Sequence, residues 1–249
     1  MGLKHVQKTY DVLGERDPLW AVLSFPEAKG NRWDPEAFFA RGRAEIEAVL
    51  ADLAGRGLSV QRRRALDFGC GVGRLTQALA AHFEQVDGVD ISRSMVERAR
   101  SFNRFGERCR YHVNTVPDLS CFRDGAFDFI YSNITLQHMP PEASEAYMAE
   151  FVRLLAPGGL ALFQVPSGPP VARGGLGRAW YRLRSGPLRR TWKRLRGKPP
   201  VEIHAVHQDR VLALLGEAGG EVLDHWQEGS VRRRRVSRFY LVGRRSHGA

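Results

Sequence analysis

The sequence predicts an α/β protein with a mostly parallel sheet covered by helices on both faces, and three observations carry that expectation. From about residue 62, short apolar runs alternate with stretches whose apolar positions recur at helical spacing. A parallel crossover needs a connection of helical length, so this alternation implies a parallel sheet between two helical layers. A glycine-rich stretch, Gly69-Cys70-Gly71-Val72-Gly73, lies between the first strand and the first of these helices, and the next strand, 85–90, ends on the carboxylate of Asp90.

In chain order, residues 1–34 hold Trp20, Phe25 and Trp33 among charged and turn residues and show no long period. Asp34-Pro35-Glu36 opens a helix, with Asp34 as cap and Pro35 at the first helical position. It extends to about Gly55, with Phe38, Ile46, Val49, Leu50 and Leu53 available for its buried side. Trp20, Trp33, Phe38 and Phe39 read first as packing for this helix against the sheet, with direct ligand contact as the alternative. Strands are expected near 64–68, 85–90, 110–114, 127–132 and 159–165, and helices near 74–83, 93–104 and 141–155. The segment 168–200 is rich in Gly, Pro and Arg and reads as an insertion or linker. A last helix near 207–217 stops at Gly219-Gly220, and strands near 220–227 and 237–243 follow, joined by a turn at Glu228-Gly229. The turns after Phe68, Asp90, Asn114 and Ser132 all fall at the carboxyl edge of the sheet, where ligands of such sheets bind.

Composition narrows the class. A chain of 249 residues supports one good core with small additions, and 43% hydrophobic with 26% charged residues suits a globular protein. The amino terminus has no apolar stretch behind its charge, Val6 stands where a myristoylation signal wants Ser or Thr, and no apolar run reaches the length of a membrane span. Cys70, Cys109 and Cys121 lack metal-ligand spacing and suit a reducing cytoplasm, so no metal is expected. The net charge of +11 suggests nucleic acid at first sight, but it is local. Of 38 Lys and Arg, ten fall within 173–198 without a single acid, leaving 28 bases against 27 acids elsewhere.

The glycine stretch sits on a strand-to-helix turn, where the missing side chains let a ligand approach the backbone. Its Gly-x-Gly-x-Gly spacing departs from the Gly-x-Gly-x-x-Gly dinucleotide fingerprint, which disfavours NAD. Asp90 is a carboxylate of the kind that accepts hydrogen bonds from both hydroxyls of a ribose.

Four blocks, Asp67 to Gly73, Val89-Asp90-Ile91-Ser92, Phe127 to Ser132, and Arg153-Leu154-Leu155-Ala156-Pro157-Gly158-Gly159, stand in the order and approximate spacing of one family. Over about residues 62–167 the chain resembles the class I S-adenosylmethionine-dependent methyltransferases. Within them, Ser132 to Pro140 and Phe163-Gln164-Val165-Pro166 resemble a bacterial subgroup of methyltransferase type 11/12. The resemblance implies a Rossmann-like, seven-stranded, mostly parallel sheet with an antiparallel last strand, and S-adenosyl-L-methionine as cofactor. It divides the chain into an N-terminal helical cap over the cofactor and acceptor site (1–61), the cofactor-binding core (62–167), a basic Arg/Trp-rich insertion (168–200), and the last helix with the closing hairpin (201–249).

Carried over position by position, the resemblance gives Asp67 the cofactor's ammonium, directly or through water. Gly69 and Gly71 let the methionine portion lie on the backbone, with Cys70 between them and Gly73 closing the turn. Asp90 holds the ribose, Ile91 packs on the adenine, Asn114 or Thr115 meets the adenine amino group, and Ser132 and Asn133 line the methionine side. Read on its own, Cys70 is a small buried residue and not a nucleophile.

His138, after the fourth strand, is the candidate general base for a hydroxyl acceptor, with a wall or capping role as the alternative. Gln137 orients an acceptor or bonds the loop, and His204, with His207, either completes a pocket from the other side or lies in a solvated loop. The basic stretch 173–198 reads as two short amphipathic helices that form a lid, bind phosphate-bearing substrate or meet an anionic membrane surface, or as a solvated extension.

The expected function is methyl transfer to a small-molecule, glycan or lipid-linked acceptor, at oxygen more than nitrogen, by a cytoplasmic enzyme, in one variant peripheral at the inner membrane surface. The alternatives are methylation of RNA or protein through the basic insertion, and a protein that binds the cofactor without transferring its methyl group. Against nucleic acid, Ser132-Asn133-Ile134-Thr135 does not match the Asn/Asp-Pro-Pro-aromatic signature of enzymes that methylate exocyclic base amines.

Overall fold

The helix opened by Asp34 forms as its cap dictates: in the computed structural model, which describes residues 2–167, 201–228 and 237–244, the Asp34 carboxylate accepts from Glu36 N and Ala37 N. This helix, α3 (Pro35–Gly55), buries Phe38, Ile46, Leu50 and Leu53, with Val49 partly buried. Before it, in the segment expected to belong to a helical cap, stand two helices that showed no long period in the sequence, α1 (Leu3–Arg16) and α2 (Pro18–Val22). Leu3, Val6, Tyr10 and Leu13 do fall on one face of α1, but Gly2 supplies no side-chain cap, and the stripe is short and partly polar.

The core then alternates: β1 (Arg64–Phe68), α4 (Arg74–Ala80), β2 (Gln85–Asp90), α5 (Arg93–Phe102), β3 (Cys109–Val113), β4 (Phe127–Ser132), α6 (Pro141–Leu154) and β5 (Leu155–Pro166). It closes with α7 (Gln208–Glu217), β6 (Gly220–Glu228) and β7 (Ser237–Arg244). The seven strands lie in the order β3-β2-β1-β4-β5-β7-β6, with β7 antiparallel to both its neighbours and the other pairings parallel. The fold is the expected Rossmann-like sheet with one antiparallel strand. β5 starts earlier than expected, because a register shift between Phe127 and Phe129 lets Leu155 pair before the Gly158-Gly159 turn.

Helices cover both faces. Phe151, Val152, Val211 and Leu215 of α6 and α7 pack with Leu66, Ile130 and Phe163 on one side; Ile46, Leu79 and Val96 of α3, α4 and α5 pack with Ala65, Val86 and Phe129 on the other. Strand β1 lies between β2 and β4, where the winding reverses, so the carboxyl ends of β1 and β4 diverge and leave a crevice. Among the described residues no helix is long and apolar enough to cross a membrane. The amphipathic helices expected over 173–198 lie outside the described residues, as does the turn after Glu228.

Candidate functional site

Strand β1 delivers the glycine turn to the crevice. Gly69 N and Cys70 N both donate to Val89 O, at 2.7 and 3.0 Å, which folds the turn over the end of β2. Gly69 (φ 79°) and Gly71 (φ 52°) hold left-handed backbone that other residues rarely adopt. Space forbids a side chain as well: a Cβ on Gly69 would lie 2.1 Å from Thr135 Cγ2, and one on Gly71 2.8 Å from Val22 Cγ2.

Asp90 ties this turn to the next one. One carboxylate oxygen accepts from Gly71 N at 2.9 Å and the other from Ser92 N at 2.8 Å. Burial pushes its carboxyl above the usual range, against the pull of these amides, and the nearby charge of Asp11 acts in the same direction as burial. Ser92 caps α5 through Met95 N and donates from its hydroxyl to Asp11 Oδ1 at 2.8 Å, while Ser94 Oγ donates to Asp11 O at 2.8 Å. These bonds fasten α1 to the start of α5, and so α1 over the crevice.

The resulting cleft encloses about 730 Å³ of atom-free space, mouth included. Val6 and Tyr10 of α1 and Ala21 and Val22 of α2 form one wall; Phe68, Val89, Ile91, Met95 and Tyr147 make the sheet side apolar. Burial pushes the Tyr10 hydroxyl up, and the Asp90 charge adds to it, so it stays a neutral donor at the cleft. An apolar slot with a few convergent polar groups is the usual form of a small-molecule site. A carboxylate at a strand end, beside glycines that leave the turn's backbone open to the cleft, suits a ligand that carries a diol and an apolar ring.

Of the residues singled out from sequence, Gly69, Gly71, Asp90, Ile91, Asn114, Asn133 and His138 line this cleft together. Asn114 is spent locally, its amide donating to Asp118 O at 2.7 Å and Tyr147 Oη at 3.2 Å. The His138 ring meets Tyr10 edge-on at 5.5 Å, and its Nδ1 lies 3.1 Å from Glu202 O, a carbonyl that can only accept. That bond places the proton on Nδ1 and leaves Nε2 as the basic nitrogen, 3.1 Å from Gln137 Nε2.

The others stand outside the cleft lining. Cys70 is buried behind the turn, where burial raises its thiol far out of reach of ionisation. Gly73 caps α4, and Ser132 donates to Phe68 O at 2.9 Å from a fully buried position. Thr115 and Gln137 do not line the cleft; His204 lies in a smaller neighbouring cavity with His5, Thr9 and Glu202, its backbone N donating to Gln137 O at 2.7 Å. Trp20, Trp33, Phe38 and Phe39 do not line the cleft either; Phe38 and Phe39 are buried in a cluster with Leu19, Val72 and Met95, against which Trp33 packs.

Asp67 is almost wholly buried behind the turn, with Thr76 Oγ1 donating to it at 2.6 Å. Burial pushes its carboxyl up to about 7, although the Thr76 hydroxyl and the Arg74 charge pull the other way. A carboxyl whose value is higher folded than unfolded favours the fold at low pH and loses that contribution as pH rises through its folded value, here between about pH 4 and 7. Asp67→Asn, which keeps an acceptor for Thr76, is therefore expected to raise the melting temperature of the ligand-free protein at pH 8 and to change it little at pH 4. Thermal unfolding followed by circular dichroism at the two pH values measures the difference.

The sequence reading missed Val6, Tyr10, Ala21 and Val22, because the helices that carry them showed no long period in the sequence. It also missed Ile134, whose φ of 61° is an outlier for a β-branched residue at the cleft wall. The apolar spacing of Leu3, Val6, Tyr10 and Leu13 was the available signal for the first helix.

Residues 65–159 match the family model described as a methyltransferase domain. The ubiquinone biosynthesis O-methyltransferases of Aromatoleum aromaticum and Chromobacterium violaceum are each 30% identical over 143 residues, 57% of this chain and 60% of theirs. The chain thus aligns with about three-fifths of the length of these curated relatives. Among solved structures, the magnesium protoporphyrin IX methyltransferase of Synechocystis, with bound S-adenosylhomocysteine, superposes with a TM-score of 0.60 at 18% identity, over 96% of this chain and 98% of that one. A Leishmania major S-adenosylmethionine-dependent methyltransferase gives 0.65 at 15% identity, over 96% and 83%. At those identities the two structures speak for the fold, and the matched sequence speaks for the domain. Residues 65–159 are thus a methyltransferase domain, and the chain around them has the fold of these two solved methyltransferases.

Proposed function

We propose that this protein transfers a methyl group from S-adenosyl-L-methionine to oxygen of a small-molecule acceptor, with glycans and lipid-linked molecules in the same acceptor class. The observation that carries the reading is the Asp90 carboxylate fixed on the amides of Gly71 and Ser92, in the lining of an apolar cleft and beside a turn whose Gly69 and Gly71 leave the backbone open. The cofactor supplies a methyl group on a sulfonium with its leaving group in place. What the chain must add is alignment, which can contribute a large part of the acceleration in such displacements.

In this reading Asp90 accepts the ribose hydroxyls, Ile91 packs on the adenine, and Asn114 faces the adenine edge. Gly69 and Gly71 admit the methionine portion, and Asn133 lines its far side. Asp67 acts from behind the turn, through water, toward the ammonium. Tyr10 and Val6 of the cap exclude water from the line of transfer. His138 takes the acceptor proton on Nε2 once the acceptor hydroxyl replaces Gln137 there, while the bond from Nδ1 to Glu202 O holds the ring. The relatives named as O-methyltransferases support oxygen as the acceptor atom. The ten bases of 173–198 support docking of a phosphate-bearing acceptor or an anionic surface.

The test is incubation with methyl-labelled cofactor and cell extract, followed by separation into small-molecule, lipid, RNA and protein fractions. Label is expected in the small-molecule or lipid fraction, as a base-stable ether. With the acceptor in hand, His138→Gln is expected to lower kcat by about 100-fold or more with cofactor affinity unchanged. Label confined to RNA or protein would replace the acceptor class, and no label in any fraction would leave a cofactor-binding protein without transfer.

A further inference from the structure

One carboxylate outside the cleft joins its wall after β4 to the helix that follows the glycine turn. Glu45 of α3 accepts from Tyr131 Oη at 3.0 Å and Asn133 Nδ2 at 2.9 Å through one oxygen, and pairs with Arg74 Nη1 at 2.9 Å through the other. Asn133 belongs to the wall that follows β4. Arg74 is the first residue of α4, next to Gly73, and is almost fully buried. The reach depends on close packing of the two helices: a Cβ on Gly42 would lie 2.7 Å from Arg74 O, so only glycine lets α3 approach α4 this closely.

The wall that Glu45 holds is a strained one. Ile134, next to Asn133, has a φ of 61°, and its N–H donates to Oε1 of the buried Gln164 at 3.2 Å. Thr135 follows, with its side chain over Gly69. A β-branched residue keeps such a conformation only where its surroundings over-determine it, and strain of this kind gathers at ligand-binding walls. Here the constraint comes from two polar side chains, Gln164 beneath Ile134 and Glu45 behind Asn133.

We propose that Glu45 is a positioning residue of the cofactor site: through Asn133 and Arg74 it fixes the wall after β4 against the glycine turn, so that Asn133 stands ready for the ligand before it arrives. The inference rests on the cofactor reading above and adds to it a residue that does not line the cleft. Fixing a first contact through a second residue is how preorganised sites keep their geometry.

The experiment is calorimetric titration of S-adenosylhomocysteine into the wild type, Glu45→Ala, Glu45→Gln, Asn133→Ala and the Glu45→Ala/Asn133→Ala pair, with melting temperatures in parallel. Glu45→Ala is expected to raise Kd about tenfold, as for a part-buried hydrogen bond to a charged group left unmade, and the double variant to bind no more weakly than Asn133→Ala. Glu45→Gln retains an acceptor for Asn133 but no charge for Arg74, and is expected to fall between Glu45→Ala and the wild type; it carries the test if Glu45→Ala does not fold. A role confined to stability would lower the melting temperature and leave Kd alone, so wild-type affinity in either folded variant overturns the proposal, as do additive losses in the double variant. No binding by the wild type would instead remove the cofactor reading, and this proposal with it.

Discussion

Replacing Asp90 by alanine is expected to weaken S-adenosylhomocysteine binding by about 100-fold or more, corresponding to the loss of two hydrogen bonds from ligand hydroxyls to a charged acceptor. The geometry makes the loss specific. Asp90 stands at the end of β2, where it already accepts from Gly71 N and Ser92 N, so its oxygens are fixed before a ligand arrives. Alanine removes the acceptor and frees both amides, and the glycine turn loses its tie to α5. Asp90→Asn keeps one acceptor oxygen and is expected to bind with intermediate affinity. Calorimetry checks both variants, and a Kd for Asp90→Ala within threefold of the wild type would mean that the ligand's hydroxyls lie elsewhere.

The second large effect lies one turn away. Gly69→Ala is expected to destabilise the protein by about 3 kcal/mol, combining left-handed backbone with overpacking against a fixed neighbour. The neighbour is Thr135, whose Cγ2, Oγ1 and Cβ would all lie within 2.6 Å of the new Cβ. Because Thr135 follows the strained Ile134, and Gln164 holds Ile134 from below, the loop has little room to yield. Urea unfolding measures the loss. Pairing the variant with Thr135→Gly is expected to recover the packing part and leave the backbone part, so a double variant no more stable than Gly69→Ala alone would show that Thr135 is not the obstacle.

The sheet was legible in the chain because each strand is a short apolar run closed by a turn residue, and each crossover helix has a clean apolar face. The turn was legible because Gly69, Gly71 and Asp90 are polar or side-chain-free residues placed where apolar strands end. What escaped were the first two helices of the expected cap. In α1 the apolar stripe of Leu3, Val6, Tyr10 and Leu13 is interrupted by Thr9 and Gly14, and its cover comes from α5 and the cleft, far away in sequence. Glu45 was equally silent, one more charged residue on a helix, because its meaning depends on Tyr131, Asn133 and Arg74 meeting it in space. His138 was found for its chemistry, but the bond from Nδ1 to Glu202 O that selects Nε2 as its basic nitrogen joins residues 64 apart, which no local pattern encodes.

Titration of S-adenosylhomocysteine into the wild type, with NAD in parallel, decides whether this cleft is built for an S-adenosyl ligand. The expected result is saturable one-to-one binding of S-adenosylhomocysteine and no heat from NAD beyond dilution. A well-folded wild type that binds neither ligand, or that binds NAD in preference, would contradict it.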